Sequence, residues 1–466
     1  MSATQPWPRR IAAWLVRERW TLAIFVAALV VRVHWNLFVH PPADYVYSDM
    51  NGYVGRAEGL FVQPWSKREY AAFYPWGTHV LMFAVERVFG KGQLGPVGVA
   101  FAVIGAANAM FGYLLARRAS RFAWVAPVVG TFLVLDYPMI SLSGYFLSET
   151  PFALGMLAGT WLLLRVVDHG RRRDAWLAGF ALAFATVMRP QILVAVALLG
   201  PLWFFGRRLW PRLTLRLLLH AAAPLLLVLA FSAWRLHYHT GRYGLISENG
   251  SFNQVFGRCH VTKIIALPDQ PSRSRTVFGP PPLLQLAKRA SLAPGEWPQL
   301  DPVIDKYFYY YGYIGDAEKH GEYMRQCVAQ GGLAKQAEFA LVHVLMLWRY
   351  NVLWPDSGKG KWAAVATTWG VVHASVFAIP AVLAALLVFW PARHPKLALV
   401  AVHLWSAFIV AAIYFGDVRL RTPYDPIIVL LAVELCAMLG TAAWRRWTRN
   451  RGRQGGVEAV GSDPAR

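Results

Sequence analysis

The sequence is short of charge. Of its 466 residues only 15% are Asp, Glu, Lys or Arg, where a soluble chain carries about a quarter. With 56% hydrophobic residues and a mean hydropathy of +0.36, a water-soluble globule is excluded and an integral membrane protein is indicated. Acid is scarcer still: 25 Asp and Glu face 47 Lys and Arg, a net charge of +22. That excess does not mark a nucleic-acid binder, because the cations come in short bursts between apolar runs. The bursts are Arg9, Arg10, Arg17 and Arg19; Arg117, Arg118 and Arg121; Arg171 to Arg173; Arg207, Arg208, Arg212 and Arg216; Arg393 and Lys396; and Arg445 to Arg453. Cytoplasmic loops look like this under the positive-inside rule, so the partner is the bilayer. A small-residue cleavage site is also missing around the first apolar run, which therefore reads as a retained anchor. Cysteine is nearly absent. Cys259 and Cys327 fall in one long polar segment, where a disulfide is an open option, and Cys436 lies in an apolar run.

Long apolar runs are what the chain has. Spanning takes roughly 20 apolar residues, and ten stretches qualify, near 21–38, 95–116, 122–143, 147–167, 175–188, 190–206, 214–233, 364–390, 397–415 and 425–443. Ten spans put both basic termini on one side, the cytoplasm, and every basic burst then falls inside. The organisation expected is a membrane module over 1–234 with a first outer segment at 39–94, a large outer segment at 235–363, C-terminal spans over 364–443, and a basic tail at 444–466. The run "PWGTHVLMFAVERVFG" (Pro75 to Gly90) is short and carries Glu86 and Arg87, so it reads as an amphipathic helix lying on the outer face. The stretch "AEFALVHVLMLWRYNVLW" in the large outer segment reads as a second surface helix.

On the outer side the few charges are unevenly placed. "DYVYSDMNGYVGRAEGL" leaves the first span with Asp44 and Asp49 among tyrosines. Asp44 suits a solvated loop. Asp49, if it opens a helix, shares a face with Tyr53 and Arg56 at spacings of four and three, and a carboxylate there can take a proton from an attacking hydroxyl. Glu149, in "YFLSETPFALGML", suits a helix start capped by Ser148 as well as it suits a site. Arg189, Arg419 and Arg421 go against the positive-inside bias. An arginine at membrane depth costs about 2.5–3.5 kcal/mol on insertion scales, so such residues face a cavity or an anion; a lipid phosphate would satisfy their guanidinium forks. Pairing with Asp417 or Asp425 is the plainer alternative. His237 and His239 lack a matching metal cluster and read as interfacial residues.

Five fragments, in order, together resemble the GT-C superfamily of integral membrane glycosyltransferases, in its bacterial branch of protein O-mannosyltransferase and aminoarabinose transferase type. They are "SDMNGYVGRAEGL", "YPWGTHVLMFAVERVFG", "YFLSETPFALGML", "RLHYHTGRYGLISENGSFNQVFG" and "RLRTPYDPIIVLLA". The resemblance covers roughly residues 15–440. It implies an all-α polytopic fold of about ten transmembrane helices, with periplasmic surface helices and a mixed periplasmic segment. It also implies an inverting transferase that moves a sugar from a polyprenyl-phosphate-linked donor to a periplasmic glycan, lipid or protein acceptor, at the outer face of the bacterial inner membrane. Asp49 matches the family's catalytic carboxylate, with Glu149, Tyr53, Arg56, Arg189, Arg419, Arg421, Asn249 and Asn253 as substrate and phosphate contacts. The position after Asp49, acidic in many relatives, is Met50 here; no cofactor is assigned, and a divalent metal is left open. The rival reading is a polytopic transporter or a flippase for lipid-linked sugars, without transfer chemistry.

Overall fold

The computed structural model describes residues 13, 15–67, 69–258, 262–267, 270–278, 317–348 and 360–458. The protein is a polytopic, almost wholly helical membrane protein. Among the described residues eight helices are long and apolar enough to cross a bilayer, and nine if one bent pair counts as a span. They lie where the apolar runs predict. Helix α1 (Arg19–His34) continues through a π turn at Trp35–Val39. In the first outer segment follow α2 (Asp49–Val62) and α3 (Gly77–Phe89), then α4 (Leu94–Ala119) returns across. The stretch 122–143 is not one straight span: α5 (Val125–Leu135) and α6 (Tyr137–Ser143) meet at 50°. Asp136 is extended at the break and Pro138, in the first turn of α6, lacks the N–H that would continue α5.

Helices α7 (Glu149–His169) and α8 (Arg172–Met188) form a hairpin, followed by α9 (Ile192–Gly206) and α10 (Leu215–Thr240). Helix α8 is the expected span that falls short. Its 17 residues reach about 25 Å at 1.5 Å each, the lower limit for crossing the hydrocarbon. Helix α7 lies between α8 and α4 and is nearly all buried on those faces. Between α10 and the C-terminal spans come α11 (Asn249–Arg258), the antiparallel strands β1 (Thr262–Leu267) and β2 (Gln270–Phe278), and α12 (Ala317–Met346), kinked at Gly332. The C-terminal spans are α13 (Ala363–Val372), a π turn at His373–Phe377, α14 (Ala378–Ala385), α15 (Pro395–Ile413), the single turn α16 (Val418–Arg421) and α17 (Asp425–Glu458). Across the centre Thr160 Oγ1 of α7 and His403 Nε2 of α15 lie 2.7 Å apart, an interhelical polar contact.

The two outer segments brace each other at one end of the bundle. Helix α3 is 13 residues, about 20 Å, too short to span, as the sequence predicts. It buries Met82 with Met50, Tyr53 and Ala57 of α2 against Phe101, Tyr145 and Phe146. The Glu248 and Asn249 N–H groups donate to the Ala72 and Phe73 carbonyls, joining the first outer segment to the second. His343 of α12 joins two further backbones: its Nε2 lies 3.0 Å from the Gly257 carbonyl oxygen and its Nδ1 accepts from Gly416 N–H at 3.2 Å. Only glycine fits here, since a Cβ on Gly257 would fall on the Tyr414 carbonyl and one on Gly416 on that of His343. Cys259 and the side chain of Cys327 lie outside the described residues, and with them the expected disulfide.

Candidate active site

At the outer-segment end, four charged side chains from four elements form one chain of contacts. Asp49 is the first residue of α2, Glu149 the first of α7, Arg189 follows the last residue of α8, and Arg419 sits on α16. Arg419 Nη2 lies 3.2 Å from Asp49 Oδ2, and its Nε 2.7 Å from Glu149 Oε1. Arg189 Nη1 reaches the same Glu149 oxygen at 2.7 Å. One carboxylate oxygen thus holds two guanidinium groups side by side. Their exposures differ in a way that sorts the roles: Glu149 is 1% exposed, each arginine 18%, and Asp49 31%. Glu149 is the buried anchor, and Asp49 faces the open side.

The surroundings fix these groups. Tyr74 donates its hydroxyl to Asp49 Oδ1 at 2.9 Å, and the Arg56 guanidinium lies 4.7 Å above the Tyr74 ring. Tyr53 is buried against Tyr74, and burial, helped by the nearby Glu149 and Asp49 charges, pushes its hydroxyl up to about 12, so it stays a neutral donor. Ser148 does not cap α7 as the sequence suggests; its hydroxyl accepts from Arg189 at 3.2 Å instead. Arg189 Nε also donates to Gln191, whose amide donates to the Tyr424 hydroxyl at 2.9 Å. The Asp417 carboxylate accepts the Arg419 N–H and so starts the turn that carries Arg419. Ser48, just before Asp49, has φ 51°, ψ −126°, the one positive φ outside glycine among the described residues. Such strain, of order 1–3 kcal/mol, gathers at functional sites.

A second buried group lies deeper, around Arg421. The Arg421 Nε is 3.1 Å from Asp425 Oδ1, and its Nη2 donates to Oδ2 at 3.5 Å; both residues are almost fully buried. His373 Nε2, in the π turn, is 3.0 Å from Asp136 Oδ1 and 3.8 Å from Asp425 Oδ2. Arg32 donates to the carbonyls of Leu133 and Val134, which the break at Asp136 leaves without helical partners. Asp136, His373 and Asp425 are the one grouping among the described residues with metal-like spacing. Each carboxylate is already engaged by the protein, Asp425 by Arg421 and Asp136 by His373, so these donors are not left open for a metal. Met50 is fully buried among apolar residues and offers none beside Asp49.

No family model matches the chain, and no curated protein matches its sequence. Among solved structures the chain is similar to ArnT. Two crystal structures of ArnT from Cupriavidus metallidurans, one bound to undecaprenyl phosphate and one in the apo state, align over 90% of this chain and 78% of that chain. Identities are 15% and 16%, and the TM-score is 0.37 for each. An overlap that loose assigns nothing to this chain, whose function has to be argued from its own side chains.

Of the residues singled out in the sequence, the structure brings together Asp49, Glu149, Arg189 and Arg419, with Tyr53 and Arg56 alongside. Arg421, Asn249 and Asn253 stand outside this chain of contacts. Arg421 takes the plainer alternative, pairing with Asp425. Asn249 accepts from the Ser247 hydroxyl at the start of α11, and Asn253 is half-buried one turn on. Tyr74, Gln191, Asp136 and His373 were missed. Tyr74 stands next to the Pro75 to Gly90 run and carried a signal; Asp136 and His373 are lone polar residues in apolar runs, whose shared environment only the fold creates.

Proposed function

We propose that the protein is a glycosyltransferase that moves a sugar from a polyprenyl-phosphate-linked donor to an acceptor hydroxyl, at the periplasmic face of the inner membrane. The observation that carries this reading is the pair of guanidinium groups held on one oxygen of buried Glu149, next to a half-open carboxylate at the membrane-exit end of the bundle. A lipid phosphate is a good leaving group already. The protein must hold it, neutralise the charge that grows on it, and activate the attacking hydroxyl. Arg189 and Arg419, both held on Glu149, have further N–H groups to offer phosphate oxygens. Asp49, oriented by Tyr74, takes the acceptor proton. The acceptor oxygen bonds to the anomeric carbon as the carbon–oxygen bond to phosphate breaks, and direct displacement inverts that centre. The Asp49–Arg419 contact is the one that donor phosphate would loosen, freeing the carboxylate for the acceptor. Basic residues crowd the opposite end of the bundle, which favours the periplasm for this one. The partly exposed charges, Asp49, Arg189 and Arg419, meet at one end of the bundle where a transfer site would be open to an acceptor, which weighs against a transporter.

The test is transfer of radiolabelled sugar from a polyprenyl-phosphate pool by the purified protein. Asp49→Asn keeps the size and most hydrogen bonds while removing the proton acceptor, and should lose about 10²–10⁴-fold in transfer rate. Donor binding should change little. Wild-type transfer by the variant would refute Asp49 as the base, and no transfer by the parent from any such donor would refute the function.

A further inference from the structure

The other end of the bundle holds a cavity that sugar transfer does not use. Helix α7 carries Glu149 at one end and Asp168 and His169 at the other, about 30 Å away over 21 residues, the depth of the hydrocarbon core. There a cavity of about 290 Å³ is lined by Arg117, Arg118, Trp161, Asp168, His169 and Lys396. Asp168 gathers two cations, Arg118 at 2.6 Å and Lys396 at 2.8 Å. The Arg118 guanidinium also lies 5.9 Å from the centre of the Trp161 ring. Arg117 is paired with Glu18 at 2.7 Å. Lining cations outnumber lining acids three to one before Glu18 is counted, and once Arg117 is paired with Glu18 two cations share one carboxylate, an excess of one positive charge. Lys396 is moreover the second residue of α15, a 19-residue helix whose positive dipole end is at the cavity.

We propose that this cavity binds a phosphate group, carried by the headgroup of an anionic phospholipid. Asp168 sets the spacing of Arg118 and Lys396 and cancels only one of their charges, so a phosphodiester between them completes the balance. Trp161 offers an amphipathic wall of the kind found at headgroup level. Three spanning helices, α4, α7 and α15, bring residues near their ends to this one cavity, so acyl chains could stay in the bilayer while the headgroup enters between the helix ends. Soluble phosphate shares the chemistry but lacks that anchorage.

The experiment uses the full chain in detergent and in phosphatidylcholine nanodiscs. Native mass spectrometry and thermal unfolding are run with added phosphatidylglycerol, with cardiolipin, and separately with inorganic phosphate. Retained anionic-lipid adducts and a raised unfolding midpoint are expected, with inorganic phosphate giving neither at millimolar concentration. Lys396→Gln leaves the Arg118–Asp168 pair in place and should weaken lipid retention about fivefold; R118Q/K396Q should weaken it by about 25-fold, at roughly fivefold per cation. Should the double variant fold poorly, the single variant decides. Equal adducts in Lys396→Gln and parent, no preference over phosphatidylcholine, or stabilisation by inorganic phosphate alone would each overturn the proposal. Sugar transfer is not the readout, so the result stands apart from the proposed reaction.

Discussion

Replacing Arg421 separates two accounts of that residue. The sequence assigns it to phosphate; the structure buries it with Asp425, its guanidinium 5.8 Å from the Trp348 ring centre. Arg421→Met keeps an apolar stem of similar length and removes the cation. Asp425 would then lose its close cation and keep only His373, 3.8 Å away and shared with Asp136. Removing one member of a buried pair typically costs about 3–5 kcal/mol, because the survivor stays desolvated and unpaired. Asp425→Leu should cost a similar amount, by stranding Arg421. The double variant, with both charges gone, should return to within about 1–2 kcal/mol of the parent, since an apolar pair of like volume is often neutral. A double-mutant cycle on unfolding free energies in detergent would therefore show a coupling of several kcal/mol. Full stability in Arg421→Met, together with lost donor binding, would refute this reasoning and restore the phosphate role.

Three further outcomes are expected. Glu149→Gln removes the charge that holds Arg189 and Arg419 together, and should weaken donor binding tenfold or more in a labelled-donor assay; unchanged affinity would show that the arginines converge without it. Burial holds His343 down to about 4, below its usual 6.5, so the folded protein keeps it neutral. Its contribution is then fully present above about pH 6.5 and is lost as pH falls towards 4, and His343→Gln should flatten the unfolding midpoint across that window relative to the parent. Gly416→Ala must displace the backbone that leads into Asp417 and Arg419, so it should lower both the unfolding midpoint and the transfer rate, whereas a variant with parental values would mean the α12 contact yields freely.

The helices were legible because lipid demands them. Twenty apolar residues in a row have few other fates, and among the described residues eight of the ten expected spans are single long helices, a ninth is the bent α5–α6 pair and the tenth is the short α8. The bend at Asp136 was not read, since an apolar run hides a break that Pro138 and three tertiary hydrogen bonds from Arg32 and His373 create. In the candidate site, Arg189 and Arg419 stood out as cations that topology did not call for, Asp49 stood out by its aromatic and polar surroundings, and Glu149 suited a helix start equally well. Arg421 stood out equally and lies elsewhere. Two positions separate it from Arg419, and on one turn of helix that is a rotation of about 200°, enough to send one guanidinium to the open site and the other into the core. Position alone could not choose between them.

The site's wiring also has a consequence in time. Asp49 and its partner Arg419 are 370 residues apart, and Glu149 waits for the same arginine. At about 5–20 residues per second, roughly 20–75 s of synthesis separate the emergence of Asp49 from that of Arg419. Arg189 reaches Glu149 early in that interval, but the cation that Asp49 and Glu149 share comes only at its end. The turn between α15 and α17 brings it, so the four-residue contact chain cannot close until that turn has been made.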